Sequence, residues 1–94
     1  MSDELTDDER RVRALTRATL ELKLAYRTSE FERDRMMVEL YDAGRATQNG
    51  MARAARLHWT RINRIRKEWT GRVTRWNAER AEIEAELKAL DADQ

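Results

Sequence analysis

The chain contains no cysteine, no proline and only three glycines. The missing cysteines exclude a disulfide framework, a thiolate nucleophile and a Cys-ligated zinc site. With a single histidine, His58, no metal-ligand set is available and none is expected. Without proline, and with few glycines, little in the sequence forces a helix to stop. β-branched residues are sparse and aromatics make up 6%, which argues against a sheet. No apolar run approaches the roughly 18–20 residues of a membrane span, and no apolar segment follows the start. The expectation is a cytoplasmic protein with no membrane partner. Catalytic signatures are missing too: there is no Ser/His/Asp set and no Gly-rich phosphate loop. Glu79, Glu82, Glu84 and Glu86 read as a solvated helix face rather than a catalytic pair, because no acid–base partner accompanies them. No enzymatic activity and no cofactor is expected.

What is present is helix-forming and charged. Ala, Leu, Arg and Glu dominate, and charged residues make up 39% of the 94. The fold class is therefore all-α, with long solvated helices. The net charge of +1 hides an uneven distribution. Residues 1–34 carry a balance of −2, residues 35–76 of +7, and residues 77–94 of −4. A polyanion would be met by the middle and avoided by the ends.

Thr6-Asp7-Asp8-Glu9 has the form of a capping box, with two aspartates at the positive end of the helix dipole. A helix is expected from about Asp7 to Arg27. Val12, Leu15, Leu22 and Tyr26, with Thr19 in the gap and Leu20 and Leu24 beside them, form an apolar stripe that calls for burial. Ser29-Glu30-Phe31-Glu32 reads as a second capping box, so a new helix is expected from Glu30 to Ala43, ending at Gly44. Its inner face would be Phe31, Met37, Leu40 and Tyr41 or Met36, with the methionines filling core. Thr47 is placed to cap a short helix from Gln48 to about Ala55, in which Asn49 and Gly50 are weak helix formers. From Trp59 onward no strong breaker appears, and Gly71 is a possible kink or boundary. Trp69, Val73, Trp76, Arg80, Ile83, Leu87 and Leu90 alternate spacings of 4 and 3, the pattern of a coiled coil or a helix-packing seam. The last four residues, Asp91 to Gln94, should fray.

The stretch MARAARLHWTRINRIRKEW, Met51 to Trp69, decides the functional reading. As one helix, its apolar residues scatter: Leu57 points away from Met51 and Ala55. A bend at Arg56-Leu57-His58 makes them converge. Met51 and Ala55 then share a face, Ala52 leaves room for a second helix, and Leu57 plugs the angle. Ile62 and Ile65 turn back onto the first helix.

With that bend, TQNGMARAARLHWTRINRIRK resembles the helix-turn-helix of prokaryotic DNA-binding regulators. The matching residues are Gln48, Met51-Ala52, Leu57, Ile62 and Ile65. The helix before it, ending ELYDAG, looks like the first helix of such domains in actinobacteria and their phages. The resemblance spans about Phe31 to Lys67. At the family's turn glycine this chain has Arg56, and His58 stands where a Ser or Thr N-cap is common.

The resemblance implies sequence-specific binding of double-stranded DNA, with a recognition helix at about 58–67 in the major groove. Base readout would fall to His58, Trp59, Thr60, Asn63 and Arg64, with Arg64 suited to guanine and Asn63 to adenine. His58 has a turn residue, and Trp59 a packing residue, as the alternative. Phosphate contacts would fall to Arg45, Gln48, Arg53, Arg61, Lys67 and Arg72. The implied organisation is an N-terminal helix (1–28), a helix-turn-helix core (29–68) and a C-terminal heptad helix (69–94). One motif reads few base pairs, so a homodimer is expected. Val12, Leu15, Leu22, Trp69, Val73, Trp76, Ile83, Leu87 and Leu90 are its dimer or packing residues. The terminal helices either pack on each other within a chain or on those of a partner. A nucleoid-associated transcription regulator and a phage factor for excision or packaging both fit. The alternative is a coiled-coil interaction protein that binds a protein partner and no DNA.

Overall fold

A computed structural model describes residues 4–92, which form four helices and no strand. They are α1 (Asp7–Asp42), α2 (Gln48–Ala55), α3 (Trp59–Lys67) and α4 (Trp69–Ala92). Helices α1 and α4 lie side by side in a long hairpin. Helices α2 and α3 form a small head at the end where α1 finishes and α4 begins. The molecule extends 64 × 23 × 18 Å, with a radius of gyration of 18.8 Å. A globular chain of this length would have about 12 Å.

The capping box at Thr6 is formed. The Glu9 amide donates to Thr6 Oγ1 at 3.1 Å, and the Thr6 amide donates to Glu9 Oε1 at 2.9 Å. The box expected at Ser29 is not formed. α1 runs unbroken through Ser29 for 36 residues. Phase explains this. The positions of α1 that turn inward are Arg13, Arg17, Leu20, Leu24, Arg27, Phe31, Asp34, Val38 and Tyr41, alternating spacings of 4 and 3 across the supposed boundary. A break at Ser29 would throw the two halves of that seam out of register.

Val12, Leu15 and Leu22, expected to pack within the chain or against a partner, are not buried within the chain. They are 64%, 69% and 72% exposed, and Tyr26 is 67% exposed. α1 buries the neighbouring stripe instead, because that is the one which meets α4. Phe31 stacks on Trp69 (centroids 5.1 Å apart) and on Trp76 (5.8 Å), two residues one heptad apart on α4. Arg27 donates Nε and Nη2 to the two carboxylate oxygens of Glu79 at 3.1 and 3.0 Å and lies over the Trp76 ring. Arg17 pairs with Asp91 farther along. These contacts fix an antiparallel register with Leu20 level with Leu87 and Leu24 level with Ile83. Trp76 and Ile83 are buried, and Val73, Leu87 and Leu90 half-buried. The heptad stripe of α4 is thus spent inside the chain.

The head has its own core: Met37, Val38, Met51, Ile62 and Ile65, with Leu40, Tyr41, Ala52, Ala55, Leu57 and Trp69 packed around it. Of the methionine pair, only Met37 fills core; Met36 is 59% exposed. Val38, not singled out from the sequence, takes the inner place.

The helix break after Lys67 falls at Glu68 and not at Gly71, which sits in the first turn of α4. Asp91 and Ala92 remain helical. Asp93 and Gln94, the rest of the segment expected to fray, lie outside the described residues.

Candidate nucleic-acid interface

The site is built from two helix ends and one turn. α1 ends at Gly44 with φ 68°, where the Gly44 amide donates to the Tyr41 carbonyl and the Arg45 amide to that of Leu40 at 2.9 Å. α2 ends in the same way at Arg56, with φ 54° and ψ 41°. The Arg56 amide reaches the Arg53 carbonyl, and the Leu57 amide reaches that of Ala52 at 3.1 Å. The bend expected at Arg56-Leu57-His58 is therefore a left-handed stop made by a residue with a Cβ. Leu57 follows it and packs against the head core.

Each short helix carries a side-chain cap. Thr47 Oγ1 accepts from the Gly50 amide at 3.0 Å. A Cβ at position 50 would lie 2.9 Å from that oxygen, which accounts for a glycine inside a helix of eight residues. His58 caps α3 by accepting from the Thr60 amide at its Nδ1, 3.2 Å away. His58 thus has a structural task at the start of the helix, and its ring lies 5.6 Å from that of Trp59.

α3 is two-faced. Ile62 and Ile65 are each 1% exposed and anchor it to the core. On the other side, Trp59, Thr60, Asn63, Arg64 and Lys67 line one shallow groove, closed at its end by Glu68. Four of the five residues assigned to base readout thus share a surface; His58 sits at its N-terminal edge. Trp59 is 45% exposed, so packing beneath the first helix is not its role.

The assigned phosphate contacts divide. Arg45, Arg53 and Lys67 are exposed, and Gln48 is half-buried at the start of α2. Arg61 is exposed but faces the other way, lining a cavity between α1, α3 and α4 with Arg33, Asp34, Arg72 and Arg75. Arg72 is half-buried and paired with Glu68 at 3.2 Å. It is not on the groove of α3.

The electrostatics separate two classes of arginine. Among residues 43–67 there are seven cations and no carboxylate. Arg45, Arg53, Arg56, Arg61, Arg64 and Lys67 form no ion pair with any described residue. The seventh, Arg66, is committed to structure: it donates to Asp42 at 3.0 Å, and its guanidinium lies 3.7 Å from the Tyr41 ring centroid. It clamps the C-terminal end of α3 to that of α1. By contrast Arg10, Arg17, Arg27, Arg33, Arg35, Arg72 and Arg80 are all paired.

Sequence reasoning missed Arg66 as a positioning residue and missed the cluster around Asp34. Asp34 is 8% exposed and bound by Arg33 at 2.9 Å, with Arg61 and Arg75 lining the same cavity. Only the unbroken phase of α1 would have placed Asp34 inward.

The chain matches no family model, no curated protein and no solved structure in the comparisons made.

Proposed function

We propose that the protein binds double-stranded DNA in a sequence-specific manner, with α3 as the helix that enters the major groove. The observation that carries this reading is the set of six unpaired cations on α2, α3 and the adjoining turns, in a segment without a single acid. Elsewhere Arg10, Arg17, Arg27, Arg33, Arg35, Arg72 and Arg80 are matched with carboxylates, while Arg11 and Arg75 form no ion pair with a described residue. Of the six on the head, Arg61 turns to the cavity beside Asp34; the others concentrate positive potential on the head, where a polyanion would be met. The groove of α3 adds residues that read base edges. Arg64 has the fork geometry for guanine O6 and N7, Asn63 for adenine N6 and N7, and Trp59 an apolar face for a thymine methyl or a sugar. Arg45, Gln48, Arg53 and Lys67 flank that groove as backbone contacts. The acidic end of α4 projects away along the rod and stays clear of the duplex.

The roles that fit are transcription regulation and the handling of phage DNA during excision or packaging. The exposed apolar stripe of α1 favours a second reading, in which the protein binds a helical protein partner. The two readings exclude each other only if the head binds no DNA.

Fluorescence anisotropy with a pool of random duplexes, followed by sequencing of the bound fraction, tests the proposal. The expected result is a preferred sequence and an affinity that falls steeply with salt. The three charged phosphate contacts, Arg45, Arg53 and Lys67, correspond to a slope of roughly −2.7 in log K against log salt, and Arg64 in the groove would steepen it. Absence of binding at about 50 mM salt would remove the DNA reading and leave the protein-partner one.

A further inference from the structure

We propose that the protein pairs with a second copy of itself through the outward face of α1, with the two helices antiparallel about a two-fold axis level with residues 20 and 21. α1 carries two heptad seams. One is spent on α4. The other runs through Asp8, Val12, Leu15, Thr19, Leu22, Tyr26, Ser29, Arg33 and Met36, alternating spacings of 4 and 3. Its large apolar members, Val12, Leu15, Leu22, Tyr26 and Met36, are 59–72% exposed. Such a stripe, roughly 45 Å long at 1.5 Å per residue, is more apolar surface than a lone solvated helix ordinarily leaves open.

Charge selects the occupant and its direction. In a parallel pair each seam residue meets its own copy, so Asp8 would face Asp8 and Arg33 would face Arg33. In the antiparallel register, Asp8 of each chain lies opposite Arg33 of the other, which holds its own Asp34 through Nε and Nη2 and has Nη1 left to donate. The same register sets Leu15 against Tyr26, Thr19 against Leu22 and Val12 against Ser29. Met36, at the end of the seam, lies at the mouth of the apolar groove lined by Met37, Leu40, Met51 and Ala55. On one flank Arg11 meets Glu32, and Ala18 meets Ala25, small residues that let the helices approach closely. On the other Thr16 meets Lys23, and Glu9 meets Glu30, two carboxylates already held within the chain by Thr6 and Arg27. Sliding by one heptad destroys the charge match: Arg33 would then face Leu15, or Asp8 would face Tyr26. A surface whose charged ends complement each other under a two-fold rotation is what an isologous interface requires.

This pairing supplies the second copy that the DNA reading calls for, but its test needs no DNA. Sedimentation of the full chain at tens of micromolar should give a dimer. Replacing two exposed residues together, Leu15→Glu with Leu22→Glu, should give a monomer with unchanged helix content by circular dichroism. Because the chain has no cysteine, cross-linking reads the direction. Leu15→Cys and Tyr26→Cys chains, mixed and oxidised, should form a mixed disulfide. Either chain alone should not, since equivalent residues lie roughly 16 Å apart along the antiparallel pair, beyond disulfide reach. Disulfides between identical chains, a wild-type monomer, or a dimer that survives the double glutamate change would each overturn the proposal.

Discussion

Arg56 is the residue on which the head turns. A left-handed conformation at a residue with a Cβ costs on the order of 1 kcal/mol relative to glycine. Arg56→Gly should therefore stabilise the fold by about 1 kcal/mol, raising Tm by about 4–8 °C in a domain of this size. Unchanged or lowered melting would mean that the arginine side chain makes a compensating contact in solution. Under the DNA-binding reading, two other arginines should behave differently from each other. Arg64→Ala should cost about 1–3 kcal/mol on the preferred sequence and little on others. Arg53→Ala should weaken all sequences alike and reduce the salt slope by about one. Equal loss on every duplex from both variants would strip Arg64 of its reading role.

At the level of elements, α3 is held by two residues and a clamp. Ile62 and Ile65 are almost fully buried in a small core, so Ile62→Ala should destabilise by about 2–5 kcal/mol in chemical denaturation. A cost under 1 kcal/mol would mean that the head core is loosely packed. The hairpin of α1 and α4 has fewer buried apolar residues and leans on Arg27 and Glu79. The hydrogen bonds from Arg27 hold the Glu79 carboxyl below its ordinary value of 4.5. Its contribution to stability is therefore complete above pH 4.5 and is lost as the pH falls below that, through the folded-state value. Both side chains are about a third exposed, so solvent screening limits the pair to about 1 kcal/mol. Glu79→Gln should lower stability at neutral pH and flatten the decline in acid. An acid limb as steep as in the wild type would assign that decline to other carboxylates.

The elements also show where local signals mislead. Ser29-Glu30-Phe31-Glu32 has the residues of a capping box, yet the helix ignores it. A cap contributes about 1 kcal/mol, and the continuous seam from Leu20 to Tyr41 against α4 and the head outweighs it. The bend at Arg56 was legible despite a non-glycine residue, because the apolar residues on either side converge in no other conformation. Gly50, a weak helix former inside α2, is required because the Thr47 hydroxyl lies 2.9 Å from where its Cβ would be.

The whole molecule is a rod with a basic head. Its N-terminal strip presents apolar residues to solvent, and its α4 end is acidic. In the antiparallel dimer the two heads would sit at opposite ends of a two-fold assembly. On DNA that geometry predicts two separated half-sites related by inverted symmetry, detectable as a palindromic pattern with an unread centre in the selected pool. A single contiguous site occupied by one protein chain would count against dimeric binding.

The sequence by itself determined that the protein is all-helical, where its basic segment lies, and that the chain bends between Arg53 and Trp59. Those features rest on composition, on the placement of charge, and on apolar spacing within about ten residues, all of which are local. The tertiary structure alone decided which of the two seams on α1 is buried. Both repeat every three and four residues, so periodicity cannot rank them. The choice falls to what α4 brings alongside, two tryptophans for Phe31 and a carboxylate for Arg27, and the richer apolar stripe is left facing solvent.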